Sequence, residues 1–408
     1  MTSPADLPVS GTPRPELEKF DAWMKGFLAE HNIPGASLAI AREGKTVYAR
    51  GFGYADREAQ APVQPDSLFR IASVSKPITA VAILKLVEQE KLKLEDKVLD
   101  YIALEPHLEE GGQFDERWRQ VTLVECLCHR GGWDRDKSYD PMFQAARMAK
   151  SLKIDLPVLT EHVIRFQLGQ PLDFEPLACY AYSNFGYCLL GRAIEKASGQ
   201  PYEQYVREAV FKPLGIERAR IGGSLESERA DGEVKYYDIH SGTSLAVTGP
   251  GAGQEQVPIS YGVWRQETLD AHGGWIASAI DLVKFASAFD LVEGGRQTRG
   301  GLLKAASVRL MFSPQATIAK PEEGQSGAYY GLGWTLKADE DERLVARHGG
   351  ALACTAASLM HFPDGTNLAL LTNLGQSADG KFLGRSIEGP LTKLVGEVKT
   401  WPADAVSP

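Results

Sequence analysis

The hydrophobic segment that follows Pro77 is the clearest pattern in the chain. Residues 81–88 read Val-Ala-Ile-Leu-Lys-Leu-Val-Glu, which places apolar side chains on nearly every face of a helix. A helix that is hydrophobic all round lies in a protein interior and packs on several sides. Proline is tolerated only near a helix start, so the pattern predicts a buried helix whose first turn contains Pro77.

Weaker patterns lie on both sides of this helix. Apolar residues recur at helical spacing from Pro15 to Leu28, which predicts an amphipathic helix, and residues 383–395 predict a closing helix. Residues between about 90 and 285 are mostly helical in pattern. Short apolar runs bounded by turn residues predict strands at 37–41, 46–50, 343–348, 354–360 and 367–372.

An early hairpin and three late strands, separated by a long helical region, indicate one antiparallel sheet built from both chain ends. We therefore expect an α/β (α+β) fold in which this sheet is flanked by helices. The 408 residues are too many for one simple core, so we expect two lobes. Residues 1–85 and 285–408 would form the α/β lobe, and residues 86–284 a mainly helical inserted lobe.

Ser73 and Lys76 form the first candidate for chemistry. They lie three residues apart at the predicted start of the buried helix, and so on one face of its first turn. The unpaired N–H groups and the positive dipole end at that point favour developing negative charge. A serine beside a lysine there is typical of an activated nucleophile. The alternative is that Ser73 only caps a core helix, and a Ser-x-x-Lys pattern alone does not decide.

Composition narrows the function classes. A net charge of −9 gives no basic surface for nucleic acid or an anionic membrane, and no apolar run reaches membrane-spanning length. No glycine-rich nucleotide-binding motif appears. The odd number of cysteines, five, and a start without the basic and apolar stretches of a secretory signal lead us to expect a cytoplasmic protein. It would be periplasmic or secreted if a signal peptide had been removed.

Two further polar motifs follow in order. Tyr-Ser-Asn at 182–184 precedes an apolar segment, and His-Gly-Gly at 348–350 is expected between two late strands. With Ser-x-x-Lys at 73–76, these motifs resemble the serine β-lactamase and penicillin-recognising superfamily, which carries Ser-x-x-Lys, Tyr-x-Asn and Lys-Thr-Gly or His-x-Gly. The chain is most similar to class C β-lactamases, D-aminopeptidases and family VIII carboxylesterases. Flanking segments that also look like the family lie at 127–132, 210–215, 273–278 and 330–334.

The resemblance implies a β-lactamase-like fold and a serine hydrolase that needs no cofactor and no metal. Ser73 would attack a substrate carbonyl and form an acyl-enzyme, with Lys76 as the base. Tyr182 would pass the proton to the leaving group and later activate water. Asn184 would orient Lys76 and a polar group of the substrate.

The third motif would complete the site. The backbone N–H groups of Ser73 and Ala351 would form the oxyanion hole, which Gly349 and Gly350 leave uncrowded. His348 stands where β-lactamases carry a lysine. It is either a hydrogen-bond partner of the motif tyrosine or the substrate, or a structural residue.

The departure from Lys-Thr-Gly bears on the substrate. Lysine and threonine normally hold a substrate carboxylate, and a mostly neutral imidazole with a glycine offers less charge and no hydroxyl. We therefore predict a carboxylesterase-like hydrolase of small esters or amides, with no nucleic-acid or membrane partner. The alternatives are a true β-lactamase or D-alanyl or D-amino-acid peptidase, in which Arg135 or Arg347 supplies the missing charge, or a slowly acylated penicillin-binding sensor module. The oligomeric state is left open.

Three nearby residues have alternative interpretations. His129 is expected to fix a loop by hydrogen bonding rather than to act in catalysis. Cys126, Cys128 and His129 are spaced closely but lack a fourth ligand, so we expect no metal site there. Trp133 is either a pocket wall or part of the core.

Overall fold

The structure, a computed structural model, describes residues 7–292, 295–296, 298–319, 327–338 and 344–406. Its strands are β1 Val9–Ser10, β2 Gly35–Arg42, β3 Lys45–Asp56, β4 Ala61–Pro62, β5 Phe69–Arg70, β6 Arg220–Ile221, β7 Thr243–Leu245, β8 Gln256–Pro258, β9 Trp275–Ala277, β10 Ala316–Ala319, β11 Ala328–Tyr330, β12 Thr335–Ala338, β13 Leu344–Leu352, β14 Thr355–His361 and β15 Thr366–Thr372. Its α-helices are α1 Glu18–His31, α2 Ser75–Glu88, α3 Leu123–Leu127, α4 Ala145–Leu152, α5 Thr160–Leu168, α6 Asn184–Ser198, α7 Tyr202–Val206, α8 Asp270–Gly273, α9 Ala279–Ser287, α10 Ala305–Met311 and α11 Gly384–Gly396. Two short 3-10 turns, Ala72–Val74 and Pro141–Phe143, lie near the candidate residues Ser73 and Lys76.

Strands from both ends of the described chain form one antiparallel sheet. Its order is β1-β3-β2-β15-β14-β13-β12-β11-β10, and β4 pairs with β3. The two chain ends meet where β2 pairs with β15, with Leu38 opposite Leu370. The predicted α/β fold, an antiparallel sheet from both chain ends flanked by helices, is therefore confirmed. The division into lobes at residues 85 and 285 stays a prediction.

Side chains of β2 point alternately to the two faces of the sheet, and each face is covered by different helices. In β2, Leu38 and Ile40 belong to the cluster that contains residues of α1 and α11. Their neighbours Ala39 and Ala41 belong to the cluster that contains residues of α2 and α9. Successive side chains of a strand point to opposite faces, so the small alanines leave room for α9 to pack close to the sheet.

The buried helix predicted after Pro77 is α2. Its side chains from Ser75 to Leu84 are all buried, and it packs against α6 and α8. The surrounding layers explain why even Lys76, in its first turn, has no exposed surface. Among the described residues, no helix combines the length and the hydropathy needed to cross a bilayer.

Two expectations about the late strands are corrected. The sequence predicts three strands after residue 340, and the sheet also contains β10, β11 and β12, which are too short to give a periodic signal. The His-Gly-Gly motif was expected between strands and lies inside β13, where Gly349 and Gly350 pair with Ser358 and Ala357. Glycine weakens strand propensity, but pairing to the long β14 overrides that local preference. Arg343, the first residue of the predicted strand 343–348, lies outside the described residues.

Candidate active site

The nucleophile candidate Ser73 lies in the 3-10 turn directly before α2. The preceding Ala72 has a φ of 45°, a left-handed conformation that is uncommon for a residue other than glycine. Strain of this kind persists where surrounding structure holds it, and it is frequent at functional sites. The turn presents the Ser73 hydroxyl to the first turn of α2, where Lys76 Nζ lies 3.1 Å from Ser73 Oγ.

Lys76 has three polar partners inside the protein. Besides the serine, its Nζ donates to Asn184 Oδ1 at 2.7 Å and to the His272 carbonyl at 3.0 Å. Burial holds the pKa of Lys76 well below its usual range, opposed by the nearby Asp140 carboxylate. An uncharged amine has two hydrogens, which match the two carbonyl acceptors. Its lone pair is then left for the Ser73 hydroxyl proton.

Asn184 and Asp140 extend this network. Asn184 is the first residue of α6, and the preceding Ser183 caps the helix by accepting from the Gly186 N–H. The Asn184 amide donates from Nδ2 to Asp140 Oδ2 at 2.6 Å, which fixes its oxygen toward Lys76. Burial raises the pKa of Asp140, although this hydrogen bond opposes the rise. Asp140 was not predicted as a site residue, because an aspartate in a loop gives no motif signal.

Tyr182 lies on the other side of the serine. Burial of this side chain raises the pKa of the phenol well above its usual value, and the neighbouring Ser73 hydroxyl opposes part of the rise. The ring lies 4.8 Å from Lys76 Nζ and 4.7 Å from the Arg135 guanidinium. It also packs against the His129 ring at 4.3 Å. Tyr182 is therefore held as a neutral phenol between two basic side chains.

His348 belongs to this cluster, but its direct partner is Tyr330. Its Nδ1 lies 2.8 Å from the Gly349 carbonyl and its Nε2 lies 2.9 Å from the Tyr330 hydroxyl. A carbonyl only accepts, so Nδ1 carries the proton and Nε2 accepts from Tyr330. Burial lowers the pKa of His348 to about 3, and the positive charge of Lys76 adds to the effect. The ring centroid is 6.3 Å from that of Tyr182, but both imidazole nitrogens are already engaged, one by the Gly349 carbonyl and the other by the Tyr330 hydroxyl.

The two glycines of β13 differ in what surrounds them. A Cβ on Gly350 would lie 2.2 Å from the Ile71 carbonyl oxygen, so only glycine lets β13 approach the segment that carries Ser73. A Cβ on Gly349 would meet nothing closer than Glu388 Oε1 at 3.7 Å. The face beside Gly349 is thus open and carries an acidic neighbour from α11.

The Ala351 peptide lies at an open strand edge. The opposing Ala356 donates its N–H to the Thr372 hydroxyl, which indicates that Ala351 and Ala356 form a non-hydrogen-bonded pair. In such a pair the N–H groups point away from the partner strand. On that side the pairing of β12 has already ended at Arg347, so the Ala351 N–H is available to a ligand.

These groups surround one cavity of about 360 Å³. Ser73 and Asn184, from the first two motifs, line it together with Ala351, which directly follows the third motif. Lys76, Tyr182 and His348 lie behind this lining. Its charged lining residues are Arg135, Asp136 and Asp140. The remaining lining residues are Ala72, Phe143, Trp264, Leu269, His272, Gly273, Leu352, Ala353 and Phe382.

The other residues considered from sequence lie around this cavity. His129 Nδ1 accepts the Ser183 N–H at 3.1 Å, so it holds the loop between Tyr182 and α6. Trp133 is buried against Trp118 and Phe185 and belongs to the core. Segment 330–334 was predicted to belong to the family, but nothing in it indicated that Tyr330 is the partner of His348, because the two residues lie on different strands of the sheet.

Comparison with known proteins identifies relatives along nearly the whole chain. A protein-family model described as Beta-lactamase matches residues 20–387. A penicillin-binding protein of Bacillus subtilis is 28% identical over 351 residues, which cover 84% of this chain and 69% of that protein. Esterase EstB of Burkholderia gladioli is 34% identical over 228 residues, or 54% of each chain. The aligned part of this chain therefore spans about half the length of that esterase.

Solved structures give the same fold. The octameric penicillin-binding protein homologue from Pyrococcus abyssi superposes with a TM-score of 0.69 at 25% identity, covering 93% of this chain and 77% of that one. D-amino acid amidase from Ochrobactrum anthropi SV3, solved with L-phenylalanine amide, superposes with a TM-score of 0.68 at 21% identity. That match covers 93% of this chain and 99% of the amidase, and at this identity it shows the fold alone.

Proposed function

The chain belongs to the beta-lactamase family of hydrolases, and we propose that it cleaves small carboxylic esters or amides through an acyl-enzyme on Ser73. The observation that carries the proposal is the hydrogen-bonded series Ser73–Lys76–Asn184 around a fully buried lysine. A lysine whose pKa is lowered by burial takes the serine proton more readily than an ordinary surface lysine does.

The acid and base follow from the opposite pKa shifts of two neighbouring groups. Lys76, whose pKa is lowered, takes the proton from Ser73 Oγ as that oxygen bonds to the substrate carbonyl carbon. Tyr182, whose pKa is raised, stays a phenol and donates its proton to the leaving oxygen or nitrogen as the carbonyl–heteroatom bond breaks. The Lys76 ammonium then returns a proton to Tyr182. Water releases the acyl group by the same path in reverse.

The negative oxygen of the tetrahedral intermediate needs preorganised donors. We assign this role to the backbone N–H groups of Ser73 and Ala351, which line the same cavity. Loss of one such donor typically costs about 2.7–4 kcal/mol of transition-state stabilisation. Gly350 contributes by allowing β13 to lie close enough to the serine for both donors to act on one atom.

The preference for esters follows from the charges around Gly349. The resemblance places a substrate carboxylate near this position in β-lactamases, and here the neutral His348 imidazole and Gly349 offer it neither a charge nor a hydroxyl. Arg347, one possible source of compensating charge, is paired with Glu388 at 3.3 Å. Arg135, the other, lies 4.0 Å from Asp140. A neutral ester needs no partner for a carboxylate, and the esterase among the relatives agrees with that preference.

Covalent labelling tests the mechanism. A fluorophosphonate should add mass to the peptide that contains Ser73, and Ser73→Ala should abolish both labelling and ester hydrolysis. Ser75→Ala is the matched control, because Ser75 lies in the next turn and its hydroxyl only contacts the Trp275 N–H. Full activity in Ser73→Ala, or labelling of another residue, would overturn the proposal.

A substrate panel separates the proposed activity from its rivals. We expect kcat/KM for p-nitrophenyl butyrate to exceed that for nitrocefin by at least about tenfold, since one missing charge-assisted partner costs about 1.5–3 kcal/mol. Equal turnover of nitrocefin would favour a β-lactamase, and faster turnover of D-amino-acid amides a peptidase. Stoichiometric acylation without turnover would favour a sensor module.

A further inference from the structure

A second cavity lies directly beside the catalytic one. It has a volume of about 190 Å³ and shares two lining residues with the catalytic cavity, Phe143 and Trp264. The two cavities are also lined by adjacent residues of the same two chain segments. Asp140 and Leu269 line the catalytic cavity, and the adjoining Pro141 and Thr268 line the second. We call this second space the side cavity.

The side cavity has a mainly apolar wall. Its apolar lining residues are Pro141, Met142, Phe143, Ala145, Ala146, Val158, Val163, Leu245, Val247, Val263 and Trp264. The polar lining residues are Gln144, Arg147, Ser244, Arg265 and Thr268. Three of them have partners: Thr268 donates to the Val158 carbonyl, the Arg147 guanidinium lies over the Tyr139 ring at 4.3 Å, and Arg265 lies 3.8 Å from Glu267. The apolar residues, which are the majority, offer contacts to an apolar ligand.

An aromatic pair divides the two cavities. The rings of Phe143 and Trp264 meet edge to face, with centroids 6.4 Å apart. Trp264 is held in place, since its indole N–H donates to Gln266 Oε1 at 3.0 Å. Phe143 ends the 3-10 turn Pro141–Phe143 and is 40% exposed, so its ring can change rotamer on a fast timescale. A turn of this one ring joins the two spaces.

We propose that the side cavity receives the apolar chain of the substrate acyl group, which makes the enzyme selective for esters of medium-chain acids. This inference rests on the proposed function. Apolar cavities of about 150 Å³ hold a benzene-sized ligand, so the side cavity accepts a chain of about six carbons. Tyr182, the proposed proton donor to the leaving group, lines neither cavity, so the matched series of alkyl acetates decides between the acyl chain and the leaving group.

The test is an acyl-chain series with a constant leaving group. We expect kcat/KM for p-nitrophenyl hexanoate to exceed that for the acetate by at least about tenfold, since each buried methylene is worth about fourfold. Ala145→Phe, which fills the side cavity from α4, should remove this advantage and leave acetate hydrolysis within about twofold. Phe143→Ala should raise hexanoate turnover relative to acetate. Ala306→Phe is the control, a similar change on the exposed face of α10, and should leave the profile unchanged.

The outcomes separate this inference from the proposed function. A wild-type profile that is flat in acyl length, or an advantage that survives Ala145→Phe in folded protein, would overturn the side-cavity assignment while ester hydrolysis on Ser73 stands. A matched series of alkyl acetates that rises with alcohol length instead would assign the cavity to the leaving group. Failure of Ser73 to be labelled, or absence of all ester hydrolysis, would instead overturn the proposed function.

Discussion

Replacing Asp140 by asparagine should shift the acidic limb of the pH–rate profile to lower pH. The carboxylate accepts the Asn184 amide at 2.6 Å, and the same amide accepts from Lys76 at 2.7 Å. Asparagine keeps the size and an acceptor oxygen, so the Asn184 amide keeps its orientation. What Asp140→Asn removes is the negative charge that favours the protonated form of Lys76.

The size of the expected shift in the pH–rate profile follows from the distance between Asp140 and Lys76. Two hydrogen bonds of 2.6 and 2.7 Å with one amide between them place the carboxylate oxygen at most about 7.6 Å from the ammonium nitrogen. At an effective dielectric constant of about 20, unit charges at that distance interact by about 2.2 kcal/mol, or about 1.6 pKa units. The Arg135 guanidinium, 4.0 Å from the carboxylate, offsets part of this attraction. We therefore expect a shift of about 1–2 pH units.

The direction in which the acidic limb moves follows from the proposed role of Lys76 as the base. The free amine is the active form, so activity is lost as pH falls through the Lys76 pKa. Without Asp140 that pKa is lower, and activity persists to a lower pH. The assay is kcat/KM for a short ester between about pH 5 and pH 10, followed by titration of released acid so that no chromophore titrates.

Asp136→Asn is the matched control for charge. Asp136 lines the same cavity but is exposed, so solvent screens it and the limb should move by less than about 0.3 pH unit. An unchanged limb in Asp140→Asn, or a shift to higher pH, would refute the charge coupling. A lower plateau with an unshifted limb would mean that Asp140 acts only by holding Asn184.

Further predictions follow from the same site. Tyr182→Phe should lower kcat by about 10²–10⁴-fold, the usual loss for a proton-transfer group, while a fluorophosphonate still labels the enzyme slowly. His348→Ala should lower the plateau of the pH–rate profile without changing its shape above about pH 5, because the pKa of His348 is already lowered to about 3. A changed limb would show that the imidazole titrates during turnover. Gly350→Ala should destabilise the fold by about 1–3 kcal/mol in denaturant unfolding, since its Cβ would lie 2.2 Å from the Ile71 carbonyl oxygen. Gly349→Ala is its control and should be nearly neutral, and equal losses in the two variants would refute the steric argument.

Features that depend on local pattern were predictable from the sequence. The buried helix follows from apolar residues on every face, and Ser73 and Lys76 follow from their spacing at its start. The order of the three motifs was enough to indicate the family, which the match over residues 20–387 confirms. Each of these signals lies within a few consecutive residues, where spacing in sequence determines spacing in the structure.

Features that depend on tertiary pairing were not predictable in the same way. Asp140 reaches Asn184 across 44 residues, and nothing in its own segment marks it. Gly349 and Gly350 have low strand propensity, and only their pairing with β14 keeps them in a strand. His348 has Tyr330 as its partner because the fold of the sheet brings their side chains together.

The pairing of β2 with β15 has a consequence for how the enzyme acquires its reactivity during synthesis. The proposed nucleophile Ser73 and its base Lys76 lie in the first fifth of the chain, whereas Ala351 follows them by more than 270 residues. Sheet pairing at this separation in sequence is slow, because loop closure precedes any gain in contacts. An emerging chain therefore carries Ser73 long before it has an oxyanion donor on β13. The complete site should appear in one late step, so shortened chains that end before β13 should neither hydrolyse esters nor become acylated.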